Sequence, residues 1–107
     1  MTDVIVIGGG PAGMMAAATA SLYGKKTILL EKNGRCGRKL AITGKGRCNV
    51  TNDCDETVFL ENIPTNPKFL NSVIRAFATQ DTKKWFEERG VLLKTDRGNR
   101  VFPNSDC

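Results

Sequence analysis

Histidine is absent from this 107-residue sequence. With it goes the side chain most often used for general acid–base work and for binding metals near neutral pH. The four cysteines, Cys36, Cys48, Cys54 and Cys107, form no C-x-x-C pair. Neither a standard zinc site nor a dithiol redox pair is therefore written into their spacing, no metal is expected, and buried free thiols are the plain reading. A disulfide scaffold suits a cytoplasmic α/β chain equally poorly. No apolar run approaches the ~20 residues that cross a bilayer. No basic region precedes the first apolar run and Asp3 stands before it, so no leader is expected and the chain is assigned to the cytoplasm. Repeats and low-complexity linkers are missing as well.

Acidic residues are scarce where basic ones gather. Between Lys25 and Arg47 stand eight basic residues (Lys25, Lys26, Lys32, Arg35, Arg38, Lys39, Lys45, Arg47) against the single acid Glu31, within a net charge of +5. Such a run suits phosphate or another polyanion. It contains no aromatic residue, which removes the stacking platform of single-strand nucleic-acid binders and argues against a nucleic-acid partner. Otherwise the composition, 40% apolar and 25% charged, is that of an ordinary globular chain.

The organising stretch runs from Asp3 to Glu31. Val4-Ile5-Val6-Ile7 is an apolar run without alternation, as expected for a strand buried on both faces of a parallel sheet. Gly8-Gly9-Gly10-Pro11-Ala12-Gly13 follows and contains G-x-G-x-x-G as Gly8, Gly10 and Gly13. A helix is expected over Met14 to Tyr23, ended by Gly24. A second strand is expected over Thr27 to Leu30, with Glu31 at its tip. Each part has a task in dinucleotide binding: Gly8 makes the turn, Gly10 admits a pyrophosphate, and Gly13 lets the helix lie close to the sheet. Pro11 suits the first helical position, whose missing N–H costs least. The helix N-terminus then faces the phosphates, and Glu31 accepts hydrogen bonds from ribose hydroxyls. Lys32 adjoins that acid and offsets part of its charge.

Residues 33–52 form a long connection with four glycines, Gly34, Gly37, Gly44 and Gly46. Loops of this length inside small domains are usually functional, and Leu40, Ile42 and Val50 look like anchors. The segment reads as a cofactor-wrapping loop with a short helical turn near Arg38 to Ile42. Arg38 and Lys39 are suited to neutralising phosphates. Thr43, Gly44 and Gly46 are suited to presenting hydroxyl and backbone N–H groups to anionic or carbonyl oxygens. Arg47 would pair with phosphate or with a carbonyl of a flavin ring.

Residues 53–65 read as mixed and polar. Asn66-Pro67 is expected to cap and open a helix whose face is Phe69, Leu70, Val73, Ile74, Phe77 and Ala78. Asp81 is expected to cap a second helix carrying Trp85 and Phe86, so that residues 66–90 form an antiparallel pair with an aromatic core stripe. Two short strands, Val91 to Lys94 and Arg100 to Phe102, complete residues 91–103. The domain reading is thus a βαβ unit over 1–32, a wrapping loop over 33–52, a helical pair over 66–90 and strands over 91–103.

These residues resemble a known family. The first unit, closed by Glu31, is similar to the two-dinucleotide-binding-domain flavoproteins of the glutathione-reductase type. Gly37-Arg38-Lys39-Leu40 and Thr43-Gly44-Lys45-Gly46-Arg47-Cys48-Asn49-Val50-Thr51-Asn52 resemble the signature of the bacterial HI-0933-like, or aminoacetone-oxidase-like, FAD-dependent oxidoreductases. Arg100-Val101-Phe102-Pro103-Asn104-Ser105 is similar to a third block, which usually has glycine where Asn99 stands here. The resemblance implies an α/β, Rossmann-like FAD-binding domain with FAD in the first-unit site. It also implies a loop, Cys48 and Asn49 included, that runs toward the flavin. NAD(P)H is the implied reductant and a small organic molecule the implied substrate. Family members are several times longer, so the chain reads as the N-terminal portion of a discontinuous FAD domain, with the C-terminal portion of the enzyme as its partner. Catalytic residues stay unassigned. Cys48 is the one tempting group, and its plain reading is a small residue in a Gly-rich turn. Two other readings stand beside the flavoenzyme: an FAD- or ADP-binding fragment without activity of its own, and a polyanion-binding module using the Lys25–Arg47 run.

Overall fold

The computed structural model describes residues 1–106, and Cys107 lies outside the described residues. The chain divides into two compact units, Met1–Thr43 and the remainder from Gly44.

In the first unit, strands β1 (Val4–Ile7) and β2 (Thr27–Leu30) pair in parallel with register Val4↔Thr27 to Ile7↔Leu30. Gly8 N–H extends the ladder by donating to Leu30 O at 2.8 Å. At the other end the Asp3 carboxylate accepts from Lys26 N–H at 2.8 Å. Helix α1 (Pro11–Leu22) is the crossover and packs on both strands. Pro11 occupies the first helical position as expected, and Gly24 follows the C-terminus at φ +73°. Burial of β1 on both faces is corrected. Val4, Val6 and Leu29 are half-buried under α1, while Ile5, Ile7, Ile28 and Leu30 are 60%, 86%, 44% and 52% exposed. A two-stranded sheet with one helix covers only one of its faces.

A 3₁₀ stretch, Leu40–Gly46, occupies the place of the expected turn near Arg38 to Ile42.

The second unit is built on an antiparallel sheet of order β3-β5-β4, with β3 at Thr51–Asn52, β4 at Leu93–Asp96 and β5 at Arg100–Pro103. β4 begins two residues later than the sequence suggested. Its turn to β5 runs through Gly98 at φ +74° and Asn99 at φ +58°. Asparagine tolerates the left-handed region better than most residues, so the turn keeps its form where the family pattern has glycine. Val101 and Phe102 are buried at 0% and 1% exposure and, with Ile74, make up the apolar core of the described residues.

Three short helices surround this sheet, and here several expectations are corrected. Helix α2 (Glu56–Glu61) lies in the segment read as irregular. Asp55 caps it, its Oδ1 accepting from Val58 N–H at 2.9 Å. The helix expected from Asn66 is split into a 3₁₀ turn, Pro67–Leu70, and α3 (Asn71–Ala76). Asn66 makes no side-chain cap and sits in the left-handed region at φ +51°. Helix α4 (Thr79–Glu87) starts before Asp81, whose Oδ2 instead accepts from Ala78 N–H at 2.8 Å from the third helical position. Helix α3 packs on the 3₁₀ turn before it and on α2, and α4 packs on β3 and β4, so the expected antiparallel pairing of the two helices does not describe their contacts. The aromatic core stripe is corrected too: only Ile74 of α3 is buried, and Phe69 is 75% exposed. A helix of six residues turns less than twice and cannot bury six apolar positions. Thr79 is the buried polar residue, satisfied by donating to Cys54 O at 2.7 Å.

Candidate functional site

The glycine turn between β1 and α1 is shaped by contacts that leave no room for side chains at two positions. A Cβ on Gly13 would lie 1.8 Å from Gly8 O, so the first turn of α1 rests directly on the backbone leaving β1. A Cβ on Gly9 would lie 2.5 Å from Cys36 Sγ and 3.0 Å from Glu31 Oε2. Gly10, the N-cap of α1, is different: a Cβ there meets nothing within 4 Å. The chain itself therefore does not demand glycine at position 10, whereas close approach of a bound group would. Gly10 opens onto a groove of about 640 Å³, which Gly9, Glu31, Lys32, Arg38, Lys39 and Ile42 also line. The first-turn N–H groups of α1, including those of Ala12 and Gly13, lack intrahelical acceptors and carry the positive end of the helix dipole.

Glu31 holds one side of this groove. Its Oε2 accepts from Gly9 N–H at 2.8 Å, and its Oε1 accepts from both Asn33 N–H and Asn33 Nδ2–H at 2.9 Å. Asn33 in turn accepts from Arg38 Nη1–H on its Oδ1 at 2.9 Å. The Asn33 backbone N–H first, and then the Gly9 N–H, hold the Glu31 carboxyl below its ordinary value, so it is a carboxylate at neutral pH. The acid sits among Lys32, Arg35, Arg38 and Lys39. The groove thus offers an ionised acceptor beside guanidinium and ammonium donors, at the N-terminus of a helix. That set matches a nucleotide: phosphate at the basic and helical side, ribose hydroxyls at the carboxylate. The fit to the adenosine diphosphate portion of FAD rests on the empty space at Gly10 and on this donor set.

Of the residues singled out from sequence, Gly10, Glu31, Lys32, Arg38 and Lys39 line one groove. Gly8 turns the chain at φ +100°, and Gly13 seats the helix that Pro11 opens. Thr43 uses its hydroxyl to donate to Leu40 O at 2.8 Å.

Gly44, Arg47, Cys48 and Asn49 belong to the second unit. Gly44, Lys45 and Gly46 are successively left-handed, and a Cβ on Gly44 would lie 2.9 Å from both Asn49 N and Phe102 Cε1. Arg47 is committed internally: its Nη2 pairs with Asp96 at 2.6 Å, its Nε donates to Asp106 Oδ1 at 2.8 Å, and its guanidinium lies 3.9 Å from the Phe102 ring centroid. Those partners, Asp96 first, raise its pKa further above the ordinary arginine value. Its expected pairing with phosphate or a flavin carbonyl therefore competes with two carboxylates already in place. Cys48 is half-buried at φ +60°, a free thiol in a glycine-rich turn. The Asn49 amide is oriented to donate to Thr51 O at 3.1 Å and Val101 O at 3.2 Å, tying the loop to the sheet.

Sequence reasoning passed over Gly9, Asn33 and Cys36. A signal for Gly9 existed, since the three-glycine run has one more glycine than G-x-G-x-x-G needs. The spacing of Asn33, two residues after the acid, allows an asparagine to donate back to it. Nothing local marks Cys36, whose contact with Gly9 arises only on folding.

A family profile described as the HI0933-like protein Rossmann domain matches residues 2–107. The 3-dehydro-bile acid delta(4,6)-reductase of Clostridium scindens is 32% identical over 108 residues, covering 99% of this chain and 26% of that protein. The ribosomal RNA dihydrouridine synthase of Escherichia coli is 33% identical over 103 residues, covering 94% of the chain and 24% of that protein. The digeranylgeranylglycerophospholipid reductase of Thermoplasma acidophilum is 31% identical over 101 residues, covering 89% and 25%. The chain thus spans about a quarter of the length of these relatives. No helix of the described residues is long and apolar enough to cross a membrane. With a strand–glycine–helix–strand unit and a profile match over residues 2–107, the chain belongs to the HI0933-like family, as its Rossmann domain.

Proposed function

We propose that this chain binds FAD through its ADP portion, at the groove of the first unit, and serves a cytoplasmic oxidoreductase that takes hydride from NAD(P)H and passes it to a small unsaturated organic substrate. The single observation that carries the binding site is the ionised Glu31 carboxylate, hydrogen-bonded to the glycine turn and to Asn33, in an open groove also lined by basic residues. FAD supplies the hydride chemistry when bound, and the chain's own residues bind it, orient it and neutralise its phosphates. Gly10 and the first-turn N–H groups of α1 receive the pyrophosphate, Arg38 and Lys39 add positive charge, and Glu31 receives the adenosine ribose. Reduction of an unsaturated substrate draws support from two relatives named as reductases, one of a 3-dehydro-bile acid and one of digeranylgeranylglycerophospholipid. Among the described residues Glu31 is the one carboxylate that lines the groove, and in this reading the ribose occupies it. The substrate-side groups, and the strands that complete the FAD domain, belong in this proposal to further polypeptide of the enzyme. The chain by itself then binds nucleotide without turning over substrate.

The test is a flavin titration of the chain and of Glu31→Ala. Loss of a hydrogen-bonded carboxylate should weaken binding of FAD and ADP by about tenfold or more. Equal affinity in the two proteins would refute the ribose assignment. A second reading is favoured by the relative named a ribosomal RNA dihydrouridine synthase: the basic run Lys25–Arg47 would then meet an RNA substrate. RNA binding with a steep salt dependence would support it.

A further inference from the structure

We propose that Asn33 is a positioning residue that commits the Glu31 carboxylate to a single ribose hydroxyl, so that the site reads one of the two vicinal hydroxyls and ignores the other. This rests on the reading of the groove as a nucleotide site. An ionised carboxylate has four acceptor positions, two on each oxygen. Three are filled by the chain. Gly9 N–H takes one on Oε2, and Asn33 N–H and Asn33 Nδ2–H take both on Oε1. The Lys32 N–H adds a weaker pull on the carboxylate, so at most one position, on Oε2, remains. A ribose offers two hydroxyls, and chelation by both carboxylate oxygens would require Oε1 to give up a donor.

Asn33 cannot easily turn away. Its amide nitrogen faces the carboxylate, and its amide oxygen receives Arg38 Nη1–H at 2.9 Å. Reversing the amide would set oxygen against a carboxylate and nitrogen against a guanidinium, so charged groups on both sides fix its orientation. Gly9 fixes the other oxygen, because its N–H is within reach only where no Cβ meets Cys36 Sγ and Glu31 Oε2. Loss of the Asn33 side chain would leave its backbone N–H on Oε1 and open one acceptor position there.

The experiment is calorimetric titration of the full chain, below its thermal transition, with ADP, 2′-deoxy-ADP and 3′-deoxy-ADP, repeated on Asn33→Ala. In the unmodified chain one deoxy analogue should bind about tenfold more weakly than ADP, the worth of one charge-assisted hydrogen bond, and the other should match ADP within about threefold. In Asn33→Ala the analogue that matched ADP should fall several-fold behind it. A purely structural role for Asn33 would weaken all three ligands together and leave their ratios unchanged, which would overturn its positioning role. Equal losses for both analogues in the unmodified chain would overturn single-hydroxyl recognition while leaving the nucleotide site intact. Failure of the folded chain to bind ADP at all would overturn the nucleotide reading together with this one.

Discussion

Replacing Gly13 by alanine places a methyl group 1.8 Å from Gly8 O, and alanine at Gly10 places one in empty space. Both glycines belong to one fingerprint, yet the structure assigns them opposite reasons to be there. At position 13 the helix and the Gly8 carbonyl must separate by more than an ångström before the contact becomes tolerable. Gly8 cannot yield freely, because its N–H is held by Leu30 O at 2.8 Å and its backbone already sits at φ +100°. Separation therefore pulls α1 off β1 or breaks the end of the β1–β2 ladder. Overpacking against rigid backbone costs about 1–3 kcal/mol or more, and the depth of this overlap puts Gly13→Ala at the upper end. That lowers the temperature at which the first unit melts by roughly 10–20 °C. At position 10 the backbone, with φ −78°, accepts alanine. Only the weaker N-cap preference is lost, at about 0.5–1 kcal/mol. Flavin binding should nevertheless fall at least tenfold in Gly10→Ala, because the added methyl occupies the approach of the pyrophosphate. Thermal denaturation followed by circular dichroism, paired with FAD titration, separates the two effects. A Gly13→Ala chain with unchanged melting would refute the packing argument, and a Gly10→Ala chain with unchanged FAD affinity would refute the phosphate site.

The ribose pocket should prefer ADP-ribose to its 2′-phosphorylated form, because Glu31 is ionised and would face that phosphate with like charge, with Lys32 offsetting only part of it; tighter binding of the phosphorylated ligand in a competition titration would contradict this. Glu31 and Asp106 both titrate below their ordinary values, Glu31 through Asn33 and Gly9 N–H groups and Asp106 through Lys94 and then Arg47. The stability they contribute is full above the ordinary carboxylate range and disappears as pH falls through the lowered folded values, so melting temperature should hold from pH 7 to about 5 and drop below about 4. A melting temperature that rises on acidification would show the sign to be wrong. Cys48 holds φ +60° without being glycine, so Cys48→Gly should stabilise the chain by up to about 1 kcal/mol, read as an upward shift in the denaturant midpoint; a lower midpoint would show that the thiol contributes packing worth more than the backbone strain.

How far the sequence carried depended on whether a residue's role was local. The β1–α1–β2 unit, its helix-opening Pro11 and the acid at Glu31 are written as neighbouring signals, and each stands where the spacing puts it. The β4–β5 turn was equally legible, since Gly98 and Asn99 are turn formers beside a proline-stopped strand. The misreadings came where two local signals competed. Asn66-Pro67 has the look of a helix start, but Asn66 takes the left-handed region and the chain passes through a 3₁₀ turn before α3 begins. Asp81 and Asp55 are both capping acids by type. Only the structure shows Asp81 reaching back from inside its helix, while Asp55 caps a helix whose pattern was too short to register. In the site, Glu31 was readable and its supports were not. Gly9 and Asn33 left weak local signals, a spare glycine and an asparagine two residues after the acid, whereas the approach of Cys36 to Gly9 joins residues far apart in the chain and leaves none. Arg47 shows a different limit: its charge suggested an anionic ligand, and only the structure shows two carboxylates of the chain already paired with it.

Ile5, Ile7, Ile28 and Leu30 stand on the side of β1 and β2 away from α1, each more than two-fifths exposed, and α1 itself has no fully buried residue. A parallel sheet is ordinarily covered on both faces, and these four aliphatic side chains, 44–86% exposed, forgo roughly half or more of the ~1.5–3 kcal/mol that full burial of each would give. Set against total stabilities of about 5–15 kcal/mol for a folded domain, that forfeit is large. The second unit differs: Val101, Phe102 and Ile74 are buried, and its sheet is pinned by the Arg47 and Lys94 pairs to Asp106. Unfolding of the chain should therefore occur in two steps. The amides of β1 and β2 should exchange with solvent first, and those of β5 last, in native-state hydrogen exchange. Saturating ADP should slow exchange in β1 and β2 preferentially, because a ligand stabilises the state it binds. A hydrophobic dye should bind the free chain and be partly displaced when a covering partner or further polypeptide is supplied. A single sharp transition, with β1 and β5 exchanging at the same rate and no dye bound, would mean that this face is already satisfied, and the argument from its exposure would fail.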